Sequence, residues 1–170
     1  MNYKSSAKHR VYISEVGSDL RRALQAGLEF IQWDKCINKS SRVLVKPNFT
    51  FPHYKEGVTT SPALLQCLLE LLKSRAETVI LGESDGGNHS FTAEQAFQGH
   101  NMYQVCRDIG VQLVNLSALP AETIEARILG KKMRVQLPRM LLAETDCFIS
   151  VPLLKVHAMT KISLSLKNLW

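Results

Sequence analysis

A chain of 170 residues with 45% hydrophobic and 21% charged types has apolar mass for one core, is too short for two to be expected, and is not composed like a disordered protein. Its net charge of +6 comes largely from two clusters, Lys4 to Arg10 and Lys131 to Arg139. Without a dense basic tract interleaved with aromatics, a nucleic-acid partner is disfavoured, and anionic small molecules account for the balance equally well.

Residues 1–10 form a basic arm with no apolar run behind it, so they do not read as a secretion signal. Residues 11–170 read as one α/β domain. Val11 to Val16 alternates apolar and polar residues and predicts a first strand. Ser18 or Asp19 then caps a helix running to about Trp33, with Leu20, Ala23, Leu24, Leu28 and Ile31 on one face. Arg42 to Lys46 is nearly continuous in apolar residues, as expected of a strand covered on both faces.

Residues 49–60 make a long connection for a βα unit, a length that favours a binding loop. Ser61-Pro62 supplies a cap and a first-turn proline for a leucine-rich helix. Thr78 to Leu81 is a second buried strand. A helical region from Thr92 to Ile109, broken near Gly99, leads to a strand at Val111 to Leu116. Two strands at Thr123 to Ile128 and Lys132 to Leu137 turn at Gly130-Lys131. Pro138 opens a helix to Glu144, and Asp146 to Val151 is the last strand.

Strands separated by helical patterns of this length predict a mainly parallel sheet in a Rossmann-like three-layer α/β fold. Residues 162–170 are apolar and patterned with no polar tail after them, and they read as the end of a piece of a longer protein. No run approaches the roughly 18 apolar residues of a spanning helix, so no membrane partner is expected. Cys36, Cys67, Cys106 and Cys147 are dispersed without CxxC spacing. No metal site, iron–sulfur cradle or disulfide framework is encoded, and cytoplasmic localisation follows. Cys67, Cys106 and Cys147 read as small core residues.

In a parallel sheet the carboxyl ends of the strands share one edge, and ligands bind in the crevice outside it. Three polar loops leave that edge: Lys46-Pro-Asn48, Gly82 to His89, and Pro152 to Lys167. Lys46 and Asn48 are candidate substrate ligands. Glu83 and Asp85 could hold a cation, orient a histidine or act as a base, or could be a solvated residue and plain turn chemistry. His89 is an acid/base candidate or an exposed loop residue.

Lys155 and His157 face one side of an extended segment. The histidine suits proton transfer and the lysine suits anion binding or nucleophilic attack. Thr160 and Asn168 add hydrogen-bonding groups. Lys167, set among leucines, either snorkels outward or is held inside a site.

The runs Leu44-Val-Lys-Pro-Asn48, Thr59-Thr-Ser-Pro62, Gly82-Glu-Ser-Asp85, Val151-Pro-Leu-Leu-Lys-Val-His157 and Ser165-Leu-Lys-Asn-Leu-Trp170 resemble the domain of unknown function 362 family. The resemblance implies further sequence beyond Trp170. Some members carry an iron–sulfur module, which here could lie only beyond residue 170; the cofactor is otherwise unknown. A more distant similarity is to the amino-terminal domain of nickel-pincer lactate racemases, through His157 and Lys167 ten residues apart and Gly87-Asn-His89 before Thr92-Ala-Glu94. That similarity implies proton transfer by His89 and His157 and an anchoring role for Lys167. Leu164-Ser-Leu166 replaces the small residues before the racemase lysine, so the nickel cofactor is not expected.

The resulting expectation is an enzyme domain of redox or isomerase type acting on an anionic organic substrate, with His157, Lys155, Lys167 and His89 as catalytic candidates. The alternative is a binding or electron-transfer protein with a redox partner.

Overall fold

The computed structural model describes residues 11–158 and 160–169. Helix α1 (Leu20–Phe30) starts at Asp19, whose carboxylate accepts the Arg22 N–H at 2.9 Å. Strand β1 (Arg42–Lys46) leads through the long loop to α2 (Pro62–Lys73), capped by Ser61 with Pro62 in its first turn. Strand β2 (Thr78–Glu83) follows, then α3 (Ala93–Gly99), which begins with a reciprocal capping box between Thr92 and Gln95. Helix α4 (Met102–Ile109) and strand β3 (Gln112–Asn115) complete this half.

The chain then makes an antiparallel hairpin, β4 (Ala121–Ile128) and β5 (Lys131–Pro138), a short α5 (Arg139–Ala143) and strand β6 (Cys147–Ser150). A small hairpin, β7 (Lys155–His157) and β8 (Lys161–Ser163), and the one-turn α6 (Ser165–Asn168) end the described residues.

Strands β3-β2-β1-β6 form one sheet in that order, all parallel. Successive side chains point to opposite faces. Val43, Val45, Val79 and Leu81 therefore pack with Leu65, Leu69 and Leu72 of α2, Phe97 of α3, and Met102 and Cys106 of α4. Leu44 and Ile80 face the other way, onto Leu116, Met140 and Leu141. The three-layer α/β expectation holds, with the second cover much smaller than the first.

The chain adds strands outward from β1 to β3, then returns to pair β6 with the opposite side of β1. That reversal, between β1 and β6, is where a doubly wound sheet opens a crevice at its carboxyl edge.

One predicted element is absent. Val11 to Val16 alternates as a strand would, yet it joins no sheet, and Val11 and Ile13 are 76% and 89% exposed. Period-two patterning is only half of a strand; the other half is an edge to hydrogen-bond. Here Tyr12 instead lays its ring against Gly27 and Phe30 of α1, 5.3 Å from the phenylalanine ring. The basic arm at residues 1–10 lies outside the described residues. Among the described residues no helix is long and apolar enough to cross a membrane.

Candidate functional site

At the carboxyl edge the last paired positions are Lys46 opposite Ser150 and Glu83 opposite Asn115. All four strands of the sheet thus end on a polar residue, although apolar residues fill the positions behind. Lys46 and Glu83, 8% and 4% exposed, form an ion pair. The carboxylate also accepts the Ser84 N–H at 2.9 Å and the Phe49 N–H at 3.1 Å. Glu83 is therefore not a solvated residue, and the charge on Lys46 is already neutralised.

The loop at residues 49–60 folds back over β1. The Asn48 N–H donates to Thr60 Oγ1 at 2.8 Å, and the Thr60 hydroxyl donates to the Val151 carbonyl at 2.8 Å, joining this loop to the end of β6. Lys155 closes the other side. Its ammonium donates to Asn48 Oδ1 (2.8 Å), Thr50 Oγ1 (2.7 Å) and the Val58 carbonyl (2.9 Å). An ammonium has three donors, and uncharged oxygens take all of them. Asn168 sits across the reversal, donating to the Lys46 carbonyl at 3.3 Å and to Ser150 Oγ at 3.0 Å.

Burial, and next to it the charge of Lys167, hold the Lys155 pKa below its usual 10.5. The two ammonium groups therefore lie in each other's field. Among the described residues no carboxylate is within ion-pair distance of either. His157 shares the strand face of Lys155 and is half-buried. Its Nδ1 accepts the Thr160 N–H at 3.3 Å, which places the proton of the neutral ring on Nε2.

The predicted residues thus divide into two groups. Lys46, Asn48, Glu83, Lys155, Lys167 and Asn168 come together at the reversal, with His157 and Thr160 on the adjoining hairpin. Asp85 goes elsewhere: its carboxylate accepts the Ala93 N–H at 2.9 Å and the Asn115 amide at 3.0 Å, anchoring the start of α3. The same amide holds Glu94, and the backbone N–H of Glu94, with Asn115 second, keeps that carboxyl below its usual range. His89 is exposed on a turn at φ 53°, and its side chain makes no hydrogen bond among the described residues.

Thr50, Thr60 and Ser150 bind within the site without having been singled out, although Thr60 belongs to a run already picked out by resemblance. His100 also went unnoticed. It is 1% exposed, stacks on Phe49 with ring centroids 3.8 Å apart, and bonds through Nδ1 to the Ala96 carbonyl at 2.8 Å, leaving Nε2 without a partner among the described residues. It braces the residue whose N–H holds Glu83. Burial lowers its pKa from 6.5.

The unfolded chain therefore takes up this proton first. The stability gained by burying the neutral ring is complete above pH 6.5 and is lost as pH falls from there towards the folded pKa. Urea midpoints should decline over that window in the wild type, with His100→Phe removing part of the slope. Identical slopes in the two proteins would refute the assignment.

Burial pushes the Cys106 thiol up to about 12, so it is an inert core residue, as expected. Among the described residues no three His, Cys, Asp or Glu side chains gather as a metal site would require.

A protein-family model described as "Domain of unknown function (DUF362)" matches residues 43–170 of this chain, and the match spans every residue of the edge site. No curated protein and no solved structure matches the chain.

Proposed function

The chain belongs to the domain of unknown function 362 family, a membership that names no reaction, and we propose that the β1–β6 end of its sheet binds an anionic organic substrate for proton-transfer chemistry of redox or isomerase type. The observation that carries this reading is the pair Lys155 and Lys167: two ammonium groups in each other's field with, among the described residues, no carboxylate within ion-pair distance of either. Opposed like charges in a partly buried setting raise the free energy of the empty site and favour whatever anion enters.

The roles differ by geometry. Lys155 has spent its donors on Asn48, Thr50 and Val58, so it acts as a fixed charge and holds the loop. Lys167 is the contacting cation. Asn168 keeps α6 over the reversal, and His157, with Nε2 protonated when neutral, is the group suited to moving a proton. Lys46 is internally paired and contributes no net charge.

Calorimetric titration of the full chain with inorganic phosphate and with acetate at low ionic strength tests the reading. Saturable binding is expected. Lys167→Gln should weaken it about tenfold, the loss of one charged contact, while Lys39→Gln on an exposed turn leaves it unchanged. His157→Asn should keep the binding and abolish turnover of any substrate then identified. Absence of saturable binding, or binding indifferent to Lys167→Gln, overturns the proposal.

A further inference from the structure

The less-covered face of the sheet is hollow at its carboxyl edge. A cavity of about 580 Å³ opens between the carboxyl edge and the β4–β5 hairpin, walled mainly by Leu116, Leu119, Leu137, Leu141, Phe148 and Leu169. A parallel sheet is ordinarily covered on both faces. Here Phe148, opposite Leu44 in the ladder, stays 37% exposed, and Leu169 stays 46% exposed. Polar groups in the lining are few: Ser84, Ser117 and Gln136, with Lys46 at the wall. An apolar hollow of this size with a handful of polar groups is the usual form of a small-molecule pocket.

Two contacts tie the hollow to the site. Lys46 lines it and is paired with Glu83, while its carbonyl is held by Asn168. Leu169, which caps α6, lines it as well, so the hollow begins where the short helix carrying Lys167 and Asn168 ends.

We infer that the ligand is an amphiphilic organic anion, with an aromatic or hydrocarbon body in this hollow and a carboxylate or phosphate head toward Lys167. The inference rests on the anionic reading above and adds the class of body the site accepts. Charge complementarity selects the head and the leucine-lined wall selects the body; Ser84 and Ser117 can bond a heteroatom on it.

The test compares two carboxylates on the full chain, acetate and 1-naphthoate, by titration calorimetry. Naphthoate should bind at least about tenfold more tightly, since a ring system leaves water only if the hollow takes it. Ala121→Phe fills the rim from an exposed strand position and should bring naphthoate down to the level of acetate without altering acetate. Gln136→Trp, also exposed, is the second blocking variant should the first not fold.

Naphthoate binding no tighter than acetate overturns the inference while leaving the anion site standing. Naphthoate binding blocked by Ala121→Phe yet indifferent to Lys167→Gln overturns the anionic class and, with it, the reading it rests on.

Discussion

Lys46→Met should cost about 3–5 kcal/mol of folding free energy, the largest loss expected of any single change at the sheet edge. The reason is what it strands. Glu83 is 4% exposed, and Lys46 is its only cationic partner among the described residues. Two backbone N–H groups, of Phe49 and Ser84, would still point at the carboxylate, but hydrogen bonds alone do not replace a counter-charge in a buried setting.

Lys46→Met combined with Glu83→Gln should recover much of the loss. Glutamine brings no charge to be buried and keeps one carbonyl oxygen to accept an N–H; because Phe49 and Ser84 donate to different oxygens of the carboxylate, the recovery stops short of complete. Chemical denaturation of wild type, both single variants and the double variant forms a complete cycle, and the coupling free energy is its result. A cost below about 1 kcal/mol for Lys46→Met would show a pair already exchanging with water, as exposed pairs do. The pair would then be free to contact a ligand, and the roles assigned to Lys155 and Lys167 would need revision.

The same pair shows where reading from sequence stops. Strands β1 and β2 were legible because parallel strands covered on both faces are continuous in apolar residues, and Arg42 to Lys46 and Thr78 to Leu81 have that form. Helix α2 announced itself by Ser61-Pro62 and its leucines. That all three polar loops leave one edge follows from parallel topology alone.

Partners within that edge do not follow. Lys46 meets Glu83 across 37 positions, and Lys155 meets Asn48 across 107; neither distance has a local signature. Asp85 before Gly86 signals a turn but not its direction, and the capped start of α3 drew its carboxylate away. Val11 to Val16 failed for a similar reason, since alternation in one segment says nothing about whether a free edge exists for it. His100 gave no signal: a histidine after a helix reads as surface until its stacking on Phe49 is seen.

Gly99→Ala is expected to act on the site from a distance. Gly99 ends α3, and the loop at residues 49–60 docks on it: the Tyr54 N–H donates to the Gly99 carbonyl at 3.2 Å, and His53 bridges to the same residue. A β-carbon there would lie 1.9 Å from the Pro52 carbonyl oxygen and 2.8 Å from His53 Cα, both backbone atoms that cannot rotate away. Either the helix end or the loop must move. Overpacking of this kind costs about 1–3 kcal/mol.

The loop is the softer partner, and it carries Thr50 and Val58, two of the three acceptors that hold the Lys155 ammonium, and Thr60, which ties it to β6. Displacing it should loosen Lys155 and weaken phosphate binding as well as lower the thermal midpoint, although Gly99 touches none of the cationic groups. Gly17→Ala, where an added β-carbon meets nothing within 4 Å, is the control and should change neither quantity. A Gly99→Ala protein that loses stability but binds phosphate as the wild type does would show that the loop braces the fold alone. Lys155 would then owe its position to β7 rather than to the oxygens it bonds.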